Sequence, residues 1–141
     1  MKKIIICLTI ILSAIFIFSA CGSSNVSADD FTLEVTTNKT NYAIGEEIKI
    51  SSVLKNGSGK ICKILKSDNL ISVRLIEEGD STDFIVPSIG ITYLMGTEFN
   101  YDTSFTKDIA GEYTVYVIAS FILNGKKINI KNDTVKISVN Q

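Results

Sequence analysis

Gly111-Glu112-Tyr113-Thr114-Val115-Tyr116-Val117-Ile118-Ala119-Ser120-Phe121-Ile122-Leu123-Asn124-Gly125-Lys126-Lys127-Ile128-Asn129-Ile130 is the stretch that decides the fold. Its side chains alternate with period two. Tyr113, Val115, Val117, Ala119 and Phe121 therefore fall on one face of a strand, and Thr114, Tyr116, Ile118, Ser120 and Ile122 on the other. Asn124-Gly125 follows, and these residue types accept the two positive φ angles of a tight hairpin turn. The returning strand changes parity: Ile128 and Ile130 are even, whereas Val135, Ile137 and Val139 are odd. Both sets reach one core only if a bulge or break near Lys131-Asn132-Asp133 shifts the pairing by one residue.

Upstream the same period recurs. Phe31, Leu33 and Val35 alternate with polar residues, as do Ile48, Ile50, Ser52 and Leu54 with Lys49, Ser51, Val53 and Lys55. Further strands are expected at Lys60–Lys66, Leu70–Glu77, Phe84–Pro87, Ile91–Met95 and Phe99–Thr106. About eight short strands at fairly even spacing, with no helical period after residue 30, predict an all-β domain of two packed sheets over residues 31–141. The single proline, Pro87, suits a strand end or an edge.

Gly111-Glu112-Tyr113, opening the penultimate strand, resembles the tyrosine corner of immunoglobulin-like domains, in which the hydroxyl bonds back to nearby backbone. The fold class expected is therefore an immunoglobulin-like two-sheet β-sandwich, all-β, behind an N-terminal leader.

That leader occupies residues 1–20. Lys2 and Lys3 precede an unbroken apolar run from Ile4 to Phe18, and Ser19-Ala20-Cys21 then leads into Gly22-Ser23-Ser24. A positive start, a short apolar core and small residues at a cut site make a secretory signal peptide. A cysteine directly after the small pair resembles the lipobox of bacterial lipoproteins. Phe18 stands where that motif usually carries Leu or another aliphatic residue. The resemblance implies cleavage between Ala20 and Cys21, and a diacylglyceryl thioether on Cys21. Two acyl chains matter, because each buried methylene contributes about 0.8 kcal/mol and a single chain holds only reversibly. The alternatives are an ordinary signal peptide cut after Ala20, or an uncleaved anchor whose apolar run is near the short end of what a spanning helix needs. Residues 21–30 carry little apolar mass and are expected to act as a flexible tether from a lipid anchor on the extracytoplasmic face of the cell membrane.

Two further resemblances concern the body. Lys39, Tyr42, Gly45, Glu46, Ile48, Ile50, Leu54 and Asn56 are similar in order to the opening of macroglobulin-like and other bacterial surface immunoglobulin-like domains. The likeness implies a structural role: Tyr42 caps the core, Gly45 turns the chain, and a strand then enters the sheet. Ile44 stands where proline is common, and no thioester motif follows. Asp83-Phe84-Ile85-Val86, Gly90, Tyr93, Phe99 and Gly111-Glu112-Tyr113 are similar in order to the intracellular proteinase inhibitor family of bacilli, without that family's tryptophan near Tyr93. This second likeness implies a β-sandwich, and supplies the alternative function of a proteinase inhibitor.

The chemistry of the chain excludes whole classes. It has no histidine, hence no Ser-His-Asp or Cys-His site and none of the commonest zinc ligand. Cys7 leaves with the leader and Cys21 is taken by lipid, so Cys62 has no disulfide partner within the chain. It reads as a core thiol, or as a reactive or dimer-forming one. Glu77 and Glu78 are adjacent on a strand and point to opposite faces, so they cannot converge as an acid–base pair. The acidic stretch Glu77 to Asp83 is expected to be a solvated loop, with a weak calcium site as the alternative. Gly57-Ser58-Gly59-Lys60 lacks the first glycine, the hydroxyl after lysine and the helix of a phosphate loop, and reads as a turn. Lysines are scattered except at Lys126-Lys127, which argues against nucleic acid as a partner. The triplets at Asn38, Asn56 and Asn132 fit a glycosylation sequon, though the leader is bacterial in type.

No catalytic residue, cofactor or metal site is expected, and the chain is not expected to be an enzyme. What remains is a membrane-anchored, non-catalytic interaction module for a protein or cell-wall partner. The densest aromatic stretch, Tyr93, Phe99, Tyr101 and Phe105, is the expected contact surface.

Overall fold

The computed structural model describes residues 25–77, 80 and 90–141. The leader, Ala20 and Cys21, the expected strand Phe84–Pro87 and most of the acidic loop lie outside the described residues. Eight strands follow one another: β1 Phe31–Thr37, β2 Asn41–Ala43, β3 Ile48–Asn56, β4 Cys62–Glu77, β5 Ile91–Met95, β6 Glu98–Phe105, β7 Gly111–Leu123 and β8 Lys126–Asn140. They form a three-stranded sheet in the order β1-β3-β6 and a five-stranded sheet in the order β2-β8-β7-β4-β5. All pairings are antiparallel except β2 with β8. The chain changes sheet at every link except β4–β5 and β7–β8, and β1 and β2 lie in different sheets. This is an immunoglobulin-like β-sandwich.

The inner faces are the ones the alternation predicted. Phe31, Leu33 and Val35 from β1, with Ile48, Ile50 and Leu54 from β3, meet Tyr113, Val115, Val117, Ala119 and Phe121 from β7 in one core. Burial of this apolar surface stabilises the sandwich by roughly 25 cal/mol per Å² removed from water. β7 is the middle strand of the five and is buried on both sides: Tyr116 and Ile118, on its outer face, form a second small cluster with Ile76. A strand flanked on both edges by long neighbours has both faces covered by their side chains, which is why its even residues are as apolar as its odd ones.

The parity change in the last strand is resolved by a bulge. Val115 pairs with Val135 and Val117 with Asn132, so Asp133 and Thr134 together oppose Tyr116. The extra residue lets Ile128 and Ile130 face inward before it, and Ile137 and Val139 after it. Asn132 fixes the spot: its Nδ2 donates across the sandwich to the Leu33 carbonyl at 2.8 Å, and its Oδ1 accepts from the Thr134 N–H at 3.1 Å. The hairpin turn has the predicted conformation, with Asn124 at φ 51° and Gly125 at φ 78°.

Two elements differ from expectation, the first being β2, which is not among the expected strands. The two strands expected at Lys60–Lys66 and Leu70–Glu77 are a single β4 with an excursion in the middle. Lys66 pairs with Phe121 and Ile71 with Ala119, which leaves Ser67–Leu70 facing Ser120 alone. Local polar bonds keep the excursion compact: the Ser67 hydroxyl donates to the Asn69 carbonyl at 2.8 Å, and Lys66 Nζ donates to the Asp68 carbonyl at 3.2 Å. Leu70 and Ile71 are then both buried. Before β1, Ala28–Asp30 form a 3-10 turn in which Ser27 and Asp30 cap one another. Val26 packs against the core.

Candidate binding surfaces

The sandwich has two ends. The hairpin end gathers the Asn124-Gly125 turn, the Asn56–Ile61 loop, the Met95–Glu98 turn and the incoming chain at Val26–Asp30. The corner end gathers Tyr42–Glu46 and Lys107–Gly111.

At the corner end the two tyrosines take the places that the resemblances implied. The Tyr113 hydroxyl donates to the Ile109 carbonyl at 2.9 Å, completing a tyrosine corner. Burial, and then the nearby Glu77 carboxylate, push the Tyr113 phenol pKa up. Lys107 Nζ sits 4.5 Å from the centre of the same ring, within cation–π range. The Tyr42 hydroxyl accepts from the Lys39 N–H at 3.0 Å, and its one proton points at Asn38 Oδ1 (2.8 Å) and the Lys39 carbonyl (2.9 Å). Gly45, at φ +76°, makes the turn between β2 and β3, and its N–H donates to the Lys107 carbonyl at 2.9 Å. Glu46 accepts from Lys39 Nζ and from the Ala43 N–H; these two bonds, the lysine's first, hold its carboxyl below the usual range. The whole motif is a fastening between β2, β3 and the β6–β7 connection.

At the hairpin end the fastening is Asn56, only 4% exposed. Its Nδ2 donates to the carbonyls of Lys60 (2.8 Å) and Gly96 (3.0 Å), and its Oδ1 accepts from the N–H and hydroxyl of Ser58 (3.1 and 2.6 Å). The amide is fully used, which is why a buried asparagine is tolerated there. Cys62 lies beside it, buried on the core face, with its thiol pKa raised chiefly by loss of contact with water. A shielded protonated thiol is a packing group, and the core reading of Cys62 is the one the geometry favours. Asn38, Asn56 and Asn132 all spend their side-chain amides on such internal bonds.

The expected contact residues come together along one open side of the sandwich. Tyr93 on β5 and Phe99 on β6 meet edge-on, with ring centres 5.8 Å apart, and so bridge the edges of the two sheets. Lys66 Nζ lies 5.9 Å from the Tyr93 ring. Tyr101 and Phe105 continue the row along β6, each half-buried against the core. Among the described residues β6 pairs only with β3, and β5 only with β4, so both strands are edges. Edge strands carry unpaired backbone donors and acceptors that can accept a further strand.

A second surface had no clear signal in the sequence. A hollow of about 620 Å³ lies on the outer face of the three-stranded sheet, where Thr36, Ser51 and Asp102 form one cross-strand row and Lys49 and Ser104 the next. Lys49 is paired there with Glu47 at 3.5 Å. Short hydroxyl side chains on adjacent strands leave the depression, and only the register reveals that they are neighbours. Among the described residues no three carboxylate or thiol groups converge as metal ligands. Asp83–Val86, part of the inhibitor-like resemblance, lies outside the described residues.

No known family profile matches the chain, and no curated protein matches it. Among solved structures it is similar to that of Spo0M, a sporulation control protein from Bacillus subtilis, with 19% identity and a TM-score of 0.44. That match covers 79% of this chain and 50% of the other, so the chain spans half the length of that protein. It is also similar to the ASH/PapD-like domain (PapD-like domain 7) of human CEP192, with 12% identity and a TM-score of 0.39, covering 77% and 84% respectively.

Proposed function

We propose that this chain is a lipid-anchored bacterial surface protein, held by a diacylated Cys21, whose sandwich is a non-catalytic module that binds a protein or wall polymer along the β5–β6 side. The anchoring is supported by the sequence from Lys2 to Cys21. The binding side is supported chiefly by one observation: the Tyr93–Phe99 pair joins two strands that are edges among the described residues, and Tyr101 and Phe105 extend the same aromatic row. Aromatic side chains combine a large apolar area with little conformational freedom to lose, so they are favoured anchors in interfaces. An edge beside them adds main-chain hydrogen bonds.

The test is site-specific photocrosslinking in living cells. A photoreactive residue at Asn100, exposed on β6 between Phe99 and Tyr101, is expected to capture one discrete partner. The same group at Lys131, exposed on β8, is expected to capture none. Equal capture from both positions, or turnover of a substrate abolished by a point substitution, would contradict the reading.

A further inference from the structure

The outer face of the five-stranded sheet carries a mixed apolar and basic patch at its hairpin end. Ile61 is 75% exposed and Leu94 67%. Lys63 pairs with Leu94, while Leu65 pairs with Ile122, which in turn pairs with Lys127. These six residues adjoin across four strands, and Thr92, the other β5 residue in the same rows, is uncharged. Among the described residues no carboxylate belongs to the patch.

We infer that this corner rests on the surface of an anionic bilayer, so that the sandwich is held with its hairpin end down. The inference rests on the anchoring proposed above for Cys21. The incoming chain reaches the domain at the same end: Val26 packs on the core, and its carbonyl accepts from Asn124 Nδ2 at 3.3 Å. Five peptide links separate Cys21 from Val26, a reach of at most roughly 18 Å. β7, thirteen residues long, runs about 40 Å between the two ends. The hairpin end is therefore within touching distance of the anchoring lipid.

Charge also distinguishes the ends. The corner end exposes apolar residues too, Ile109 at 66% and Ile44 at 41%. Ile109 follows Asp108, however, and Ile44 precedes Glu46-Glu47, carboxylates that offset the charges of Lys39, Lys49 and Lys107, so that end offers an anionic surface no excess of positive charge. At the hairpin end the exposed apolar groups stand beside lysines, the combination that lies down at a lipid interface. The carboxylates of that end, Asp29, Asp30 and Glu98, belong to the incoming turn and to the other sheet. The Tyr93–Phe99 pair lies beside this corner, and Tyr101 and Phe105 lead away from it along β6.

The chain has no tryptophan, so one introduced tryptophan is a clean reporter. The full-length chain is produced in a bacterium that processes lipoproteins, its acylation is read from intact mass, and it is reconstituted into vesicles of phosphatidylethanolamine and phosphatidylglycerol with brominated acyl chains. Ile61→Trp and Leu94→Trp are expected to lose fluorescence roughly twofold relative to unbrominated vesicles, and Ile109→Trp to be unchanged. Adding Lys63→Glu and Lys127→Glu to Ile61→Trp is expected to restore most of the signal. All these positions are exposed, so the fold tolerates the changes. If the chain is acylated and Ile61→Trp is quenched no more than Ile109→Trp, the lipid contact is wrong and the anchor stands. If Cys21 carries no lipid, both fall together.

Discussion

The two ends of the sandwich are fastened by different chemistry. At the corner end Tyr42 and Tyr113 lay their rings in the core and spend their hydroxyls on backbone within four residues. Glu46, with Lys39, adds an ion pair in water. At the hairpin end one buried amide, Asn56, ties together the Ser58–Lys60 loop and the Gly96 turn forty residues away. Local fastening has partners that can rehydrate when a bond is lost. Asn56 adds to its local bonds a tie to a turn forty residues away, through an amide only 4% exposed, and so it should be more sensitive to substitution.

The largest expected effect follows directly. Asn56→Ala removes the side-chain donor to the Gly96 carbonyl, leaves the Lys60 carbonyl a long bond from the Ser58 hydroxyl (3.4 Å) and removes the acceptor for Ser58, so chemical denaturation should show a loss of about 2–4 kcal/mol. A loss below that of the tyrosine variants would break the contrast between the ends. Tyr42→Phe keeps the ring and removes only the hydroxyl, and about 1–1.5 kcal/mol should be lost in the same assay. Tyr113→Phe should cost about 1 kcal/mol, since the carbonyl it leaves belongs to the exposed Ile109.

Ser52 sharpens the comparison from the opposite direction. It is fully buried on the inner face of β3, and its hydroxyl finds no partner among the described residues. Ser52→Ala should therefore leave stability unchanged or raise it by up to about 1 kcal/mol. A clear loss would mean that the hydroxyl is bonded in solution.

The smallest effect belongs to Glu46. Its folded pKa is depressed by Lys39 and the Ala43 N–H, so its contribution is present above the unfolded carboxylate pKa and fades as pH falls through the folded value. The melting temperature of Glu46→Gln should lie slightly below that of the parent near neutrality. The gap should close in acid and shrink in high salt, because the group is solvent-screened.

The same contrast explains what could be read from the chain alone. The alternation in β3 and β7, the Asn124-Gly125 turn and the parity switch before Val135 are local patterns, and each specifies its structure through neighbours two residues away. The roles of Tyr42 and Tyr113 were legible because their partners lie within a few residues, and that of Gly45 because a tight turn takes its positive φ. Asn56 stood in the sequence only as the last member of a motif, since nothing nearby shows that Gly96 will supply a carbonyl. Asp68-Asn69 looks like a turn between two strands, yet Leu70 and Ile71 pull the chain back into the same sheet. β2 is three residues long and pairs parallel to β8, so its partner could not be identified from periodicity. The aromatic row from Tyr93 to Phe105 was named from density alone, and the fold brings its members to one side because β5 and β6 are both edges among the described residues.

The proposed function depends most on the lipid anchor at Cys21. The most direct measurement is the mass of the N-terminal peptide of the protein recovered from its own membranes. The account predicts a chain beginning at Cys21 with a diacylglyceryl group on its sulfur. A chain beginning at Cys21 with a free thiol, or one retaining residues 1–20, would contradict it.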